Sequence, residues 1–70
     1  MYGGTTMTSI WLARDKDGSL WGYTGYKPQR VYDEFKSSHK DSDTFSLFDY
    51  FFPEITWENS PIEFIQNKEE

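Results

Sequence analysis

The sequence predicts an α+β fold: a small antiparallel sheet of four or five strands, opened by a hairpin over residues 9–24, with one short helix near residues 45–52 packed on one face. Three observations predict it. Two β-prone runs flank Asp17-Gly18, a crowd of aromatic side chains follows Thr44 and stops at Pro53, and period-two alternation resumes after that proline.

Size sets the terms for these elements. A folded chain of 70 residues buries only about 62% of the surface that it exposes when unfolded, which allows one domain. Fourteen aromatic residues stand against eight isoleucines, leucines and valines, so the core must be built largely from rings. The absence of cysteine excludes a disulfide framework, and a single histidine excludes zinc sites that need several Cys or His ligands. No apolar run approaches the ~18 residues of a membrane span, so the sequence predicts a soluble, cytoplasmic protein.

Met1-Tyr2-Gly3-Gly4-Thr5-Thr6 shows no apolar periodicity and predicts a flexible leader over residues 1–7, with a second methionine at Met7. The single domain is expected over residues 8–66, and residues 67–70 read as a frayed acidic tail. Within the domain, Ser9–Arg14 and Ser19–Thr24 flank Asp15-Lys16-Asp17-Gly18. A type I turn followed by Gly18 in the left-handed region closes a three-residue hairpin loop with a glycine bulge. In that register Arg14 faces Leu20, Ala13 faces Trp21, Leu12 faces Gly22 and Trp11 faces Tyr23. Side-chain alternation then puts Ile10, Leu12 and Leu20 on one face and Trp11, Ala13, Trp21 and Tyr23 on the other.

Gly25-Tyr26-Lys27-Pro28 reads as a turn. Gln29–Lys36 alternates as a strand does, although Val31 and Phe35 also stand four apart as on a helix; the strand reading is preferred. Ser37–Asp43 is polar throughout and reads as an exposed loop. Thr44 caps the expected helix, which carries Phe45, Leu47, Phe48, Tyr50, Phe51 and Phe52. Glu54–Glu58 and Ile62–Gln66 alternate as further strands on either side of an Asn59-Ser60-Pro61 turn.

Taken as a set, the run Ile10–Trp21, the pair Lys27-Pro28 and the run Phe52–Glu63 resemble small proteins of phages and gut-bacterial mobile elements that have no assigned activity. The resemblance spans Ile10 to about Phe64 and carries no catalytic residue. It implies a setting, the cytoplasm of a bacterial host, and favours binding over chemistry, with inhibition of a host defence enzyme as one such role.

The residues agree in offering no catalytic constellation. Asp15-Lys16-Asp17-Gly18 begins like a calcium loop, yet its twelfth position is Tyr26, where the bidentate carboxylate belongs. His39, Asp41 and Asp43 sit on a polar loop that supplies no orienting groups for a metal. Gly22-Tyr23-Thr24-Gly25 lacks the lysine of a phosphate loop. Neither cofactor nor metal is expected, and the chain reads as a non-enzyme.

Charge bears on the partner. The formal net charge is −5, made of +2 over residues 1–40 and −7 over residues 41–70. An acidic chain is poorly suited to the phosphate backbone of nucleic acid, and its acidic part suits a basic protein surface. The expected contact surface joins the indole-rich face, Trp11, Trp21 and Tyr23, to the carboxylates Asp41, Asp43, Asp49, Glu54 and Glu58, provided the helix covers the opposite face. An alternative buries that face in the core or against a second copy. Two other functions compete: capture of a nucleotide-type molecule by stacking on the aromatics, with Arg14, Lys27 or Arg30 on its phosphates, and a structural role as a homo-oligomer.

Overall fold

Gly18 turns the chain back on itself at φ 99°, a conformation that costs glycine little, and the turn closes through Gly18 N–H to Asp15 O (2.9 Å) and Asp15 N–H to Ser19 O (2.8 Å). The computed structural model describes the backbone of residues 5–69 and the side chains of residues 9–65. The turn joins β1 (Thr5–Arg14) to β2 (Leu20–Thr24) in the expected register, Arg14 opposite Leu20 through Ile10 opposite Thr24.

Two further strands complete the main sheet. β5 (Thr44–Leu47) pairs with β2, and β6 (Ile62–Glu69) pairs with β1, giving the order β5-β2-β1-β6 with every pair antiparallel. A separate two-stranded hairpin of β3 (Gln29–Val31) and β4 (Glu34–Lys36) lies over one face. Described residues include six strands and no helix, so the architecture is all-β and the α+β expectation is corrected. The ladder between β1 and β6 runs from Thr5 opposite Glu69 to Leu12 opposite Ile62. Both the leader expected up to Met7 and the tail expected from Asn67 therefore overlap this ladder; residues 1–4 and 70 lie outside the described part.

The expected helix fails for a long-range reason. In β5, Phe45 stands opposite Gly22 and Leu47 opposite Leu20. A Cβ on Gly22 would sit 2.2 Å from the Cζ of Phe45, so the ring lies in the space that a side chain would otherwise occupy. Threonine, phenylalanine and serine are also weak helix formers, and the alternation of Thr44-Phe45-Ser46-Leu47 suits a strand edge. Beyond β5 the chain turns rather than coils, with Phe51 N–H bonded to Phe48 O, Ile55 N–H to Phe52 O, and Phe52 at φ 52°. Glu54–Glu58, expected as a strand, is part of this turn-rich segment.

The main sheet has a core on each face. On one, Leu12, Leu20 and Ile55 are buried with Ile10, Leu47 and Ile62 packed around them. On the other, Ala13, Tyr23 and Phe35 are buried with Trp11, Trp21 and Trp57 around them. Fully burying an aliphatic or aromatic side chain contributes about 1.5–3 kcal/mol. The segment after β5 serves both cores: Ile55 enters the aliphatic one and Trp57, two residues later, the aromatic one.

The hairpin of β3 and β4 is pinned through Phe35. Its N–H donates to Asp15 Oδ1 at 2.8 Å, and its carbonyl accepts the Tyr23 hydroxyl at 2.9 Å. Lys16 N–H adds a backbone bond to Asp33 O at 3.0 Å. Position 29–36 is thus extended as expected, but folded on itself about Tyr32-Asp33 rather than added to the main sheet.

Candidate functional site: an exposed aromatic row

Arg14 organises the surface that follows. It leaves β1 on the aliphatic face, and its guanidinium has five N–H donors in a planar fork. All five are used on backbone carbonyls. Nε donates to Ile55 O (2.5 Å), one terminal nitrogen to Gly18 O (2.8 Å) and Asp49 O (3.0 Å), and the other to Phe51 O (2.9 Å) and Phe52 O (3.0 Å). Its own N–H donates to the hydroxyl of the buried Ser60 at 2.9 Å, which continues the β1 ladder past the start of β6.

One side chain therefore fixes the backbone of residues 49–55. Carbonyls that a helix would commit to its own N–H groups are committed here to a cation from β1, which holds the segment open. The consequence is a row of rings facing outward. Phe48 stacks on Tyr50 (centroids 5.4 Å apart), Phe51 meets Phe48 and Tyr50 edge-on (5.5 and 5.1 Å), Phe52 follows Phe51 (6.3 Å), and Phe64 of β6 follows Phe52 (6.1 Å). These rings touch one another yet stay open to solvent, with Tyr50 72% and Phe48 63% exposed. Contiguous exposed apolar surface of this kind marks interaction sites in soluble proteins.

Apart from the Arg14 guanidinium beneath it, the row sits in a segment whose charges have one sign. From Asp41 to Asn67 the sequence contains six carboxylates and no lysine or arginine. Asp49 lies within the row and Glu54 immediately after it, both exposed. Asp41 and Asp43 are exposed at the opposite end of β5, where Asp43 O accepts Thr24 N–H, and Glu58 is exposed on the turn beyond Trp57. Asp49 and Glu54 are thus the expected carboxylates that the fold brings to the aromatic row.

The indole-rich face is not the open surface. Tyr23 is 2% exposed, and Trp11 and Trp21 are half-buried against the second core. The hairpin of β3 and β4, with Trp57, occupies the face that a single additional strand would have left open. Burial pushes the Tyr23 hydroxyl up to about 12, with Asp15 and Glu34 contributing repulsion to its ionised form. The Asp15 carboxyl is also raised: burial dominates, the Phe35 N–H opposes, and neighbouring Asp17 and Glu34 add to the rise. Asp17 is lowered by its bonds from the Ser19 hydroxyl and N–H.

The cations considered for phosphate binding differ in how far the fold engages them. Arg14 has no donor left over. Arg30 lies 4.0 Å over the Trp57 ring and donates to Trp57 O, and Lys27 sits 5.9 Å from the Trp11 ring centroid. A shallow groove of about 530 Å³ between the β1–β2 turn and the β3–β4 hairpin is lined by four carboxylates, Asp15, Asp17, Asp33 and Glu34, against one cation, Lys16, a balance that disfavours phosphate. No group of three or more His, Cys, Asp or Glu among the described residues is arranged to hold a metal ion. His39 stacks on Tyr26 at 3.9 Å and accepts Asp41 N–H at Nδ1. No described helix is long and apolar enough to cross a membrane.

Sequence reasoning placed Phe48, Tyr50, Phe51 and Phe52 on the expected helix and Phe64 on a strand, and assigned none of them to the contact surface. Gly22 inside a strand was the available signal, because a glycine there often marks the approach of another group. Arg14 gave none, since its five acceptors are backbone atoms. The chain matches no family model, no curated protein and no solved structure.

Proposed function

We propose that this chain is a non-enzymatic binding protein that docks a basic surface of a partner protein onto the row Phe48, Tyr50, Phe51, Phe52 and Phe64. The observation that carries this reading is the row's exposure: five solvent-facing rings in a chain of contacts, on a segment that one guanidinium holds with four of its five hydrogen bonds. Rings ordered before binding lose little conformational entropy on contact, and aromatic residues dominate the energetics of protein interfaces. Asp49 and Glu54, in a stretch without cations, suit lysine and arginine, whose charged groups also pack against ring faces.

The resemblance to small phage and mobile-element proteins makes a bacterial host protein the partner class, and occlusion of a host defence enzyme the corresponding role. Nucleotide capture is less well supported, because Arg14 is fully engaged within the fold, Arg30 packs on Trp57, and the groove beside the β1–β2 turn is predominantly acidic. The test is a pull-down from bacterial host extract with the wild type and with Phe48→Ser/Tyr50→Ser, two changes at exposed positions. A protein held by the wild type and lost by the variant at unchanged melting temperature is expected; equal retention by both would refute the reading.

A further inference from the structure

The free edge of β6 adjoins the aromatic row, and its backbone pattern follows from the ladder on its other side. Gly25 N–H bonds Ser9 O and Asp15 N–H bonds Ser19 O, so the odd-numbered residues of β1 direct their backbone groups toward β2. The even-numbered residues of β1 therefore face β6, where Ile10 pairs with Phe64 and Leu12 with Ile62. Even-numbered residues of β6 bond to β1, and the N–H and C=O groups of Glu63, Ile65, Asn67 and Glu69 point outward. Among the described strands β6 has one neighbour only.

Described side chains on that strand are exposed on both faces. Phe64, on the aliphatic side, is 43% exposed and extends the row through Phe52, while Ile65, on the aromatic side, is 52% exposed. Glu63, exposed on the same side as Ile65, is oriented by the Ser9 hydroxyl, which donates to its Oε2 at 2.8 Å.

We infer that β6 receives an extended segment of the partner as a fifth strand of the main sheet, and that this segment alternates apolar with basic residues. Backbone groups of Glu63, Ile65 and Asn67 supply the ladder, and the added strand covers Phe64 and Ile65 on opposite faces. A lysine or arginine beside Glu63 meets the carboxylate. Charge selects this occupant over a second copy, because self-pairing brings together two chains of net charge −5, and β6 itself carries Glu63 and Glu69 against the one cation Lys68. The inference rests on the proposed aromatic interface and names the form in which the partner reaches it.

The probe is a displayed library of random dodecapeptides selected on the full chain. Peptides that alternate apolar and basic residues are expected, and on binding they should slow amide exchange at Glu63, Ile65 and Asn67 while leaving Phe64, already bonded to β1, unchanged. Ile65→Pro removes one outward N–H without touching the β1 ladder and should weaken the selected peptide at least tenfold, whereas Ile65→Thr, which keeps the N–H, should stay within about threefold. Should the proline variant not fold, the exchange pattern of the wild type decides alone.

Enrichment of no such peptide, or unchanged exchange at the three outward amides, would overturn the inference. So would a dimer in sedimentation that Ile65→Pro dissociates, since the edge would then belong to a second copy. Partner capture lost with Phe48→Ser/Tyr50→Ser but retained with Ile65→Pro refutes strand addition and leaves the aromatic interface standing; the opposite pair of results refutes the aromatic interface alone.

Discussion

Replacing Arg14 should loosen the aromatic row and lower the stability of the whole chain. Its guanidinium makes five hydrogen bonds to the carbonyls of Gly18, Asp49, Phe51, Phe52 and Ile55. A hydrogen bond of this kind contributes about 1 kcal/mol net, and three of the five acceptors lie where water can replace part of the loss. Arg14→Ala is therefore expected to cost roughly 3 kcal/mol, or a melting temperature lower by about 12–24 °C in a domain of this size. Arg14→Lys keeps the charge but has three donors and no planar fork, so it should recover about half of that loss. Urea denaturation followed by tryptophan fluorescence measures the global term. Amide exchange at Phe51 and Ile55, whose N–H groups close the turns onto Phe48 and Phe52, measures the local one. A loss below about 0.5 kcal/mol for Arg14→Ala, with both amides still protected, would refute the role given to the guanidinium.

Gly22→Ala should displace the Phe45 ring, whose Cζ stands 2.2 Å from the new Cβ, and cost about 1 kcal/mol; in a Phe45→Ala background the same change should cost nothing, and additive effects in the double-mutant cycle would contradict the contact. Tyr23→Phe should cost about 1 kcal/mol through loss of the bond to Phe35 O. Because burial raises the Tyr23 hydroxyl to about 12, its neutral form contributes stability that is fully present below pH 10 and lost as pH rises toward 12. Phenolate absorbance of the wild type less that of Tyr23→Phe should accordingly show a hydroxyl that resists titration until the chain unfolds, and its titration at the ordinary 10.0 would contradict its burial. The Asp15 carboxyl is raised by burial, so its contribution is complete below its ordinary 3.8 and fades as pH rises through the raised value. Asp15→Asn, which still accepts the Phe35 N–H, should match or exceed the wild type in stability at pH 7 and flatten its acid profile, while Asp15→Ala should cost about 1–3 kcal/mol by orphaning that N–H; equal denaturation midpoints for the two variants would contradict the assignment.

The hairpin was legible because its determinants are local. Asp17-Gly18 sets the turn, and alternation on both sides leaves one register in which the faces separate. β6 was legible for the same reason, as Pro61 ends the preceding turn and Ile62-Glu63-Phe64 begins a clean alternation. The helix near 45–52 was misread because what decides its conformation lies elsewhere in the chain: a missing side chain at Gly22 and a guanidinium at Arg14. The indole face was open to two readings, exposed or buried in the core, and the β3–β4 hairpin selects burial. Its tip holds Tyr32, 93% exposed at φ 58°, and a turn at Tyr32-Asp33 carries no glycine to announce it. Once that hairpin forms, Trp11, Trp21 and Tyr23 have a cover, and the aromatic surplus that a small core cannot hold emerges at Phe48–Phe52.

The most direct test of that emergent surface is the dissociation constant of the recovered partner from the wild type and from Tyr50→Ala, measured by titration. At unchanged melting temperature the variant should bind at least tenfold more weakly, a loss of about 1.4 kcal/mol at a single exposed ring. Affinities within twofold of each other would show that the row is not the contact surface.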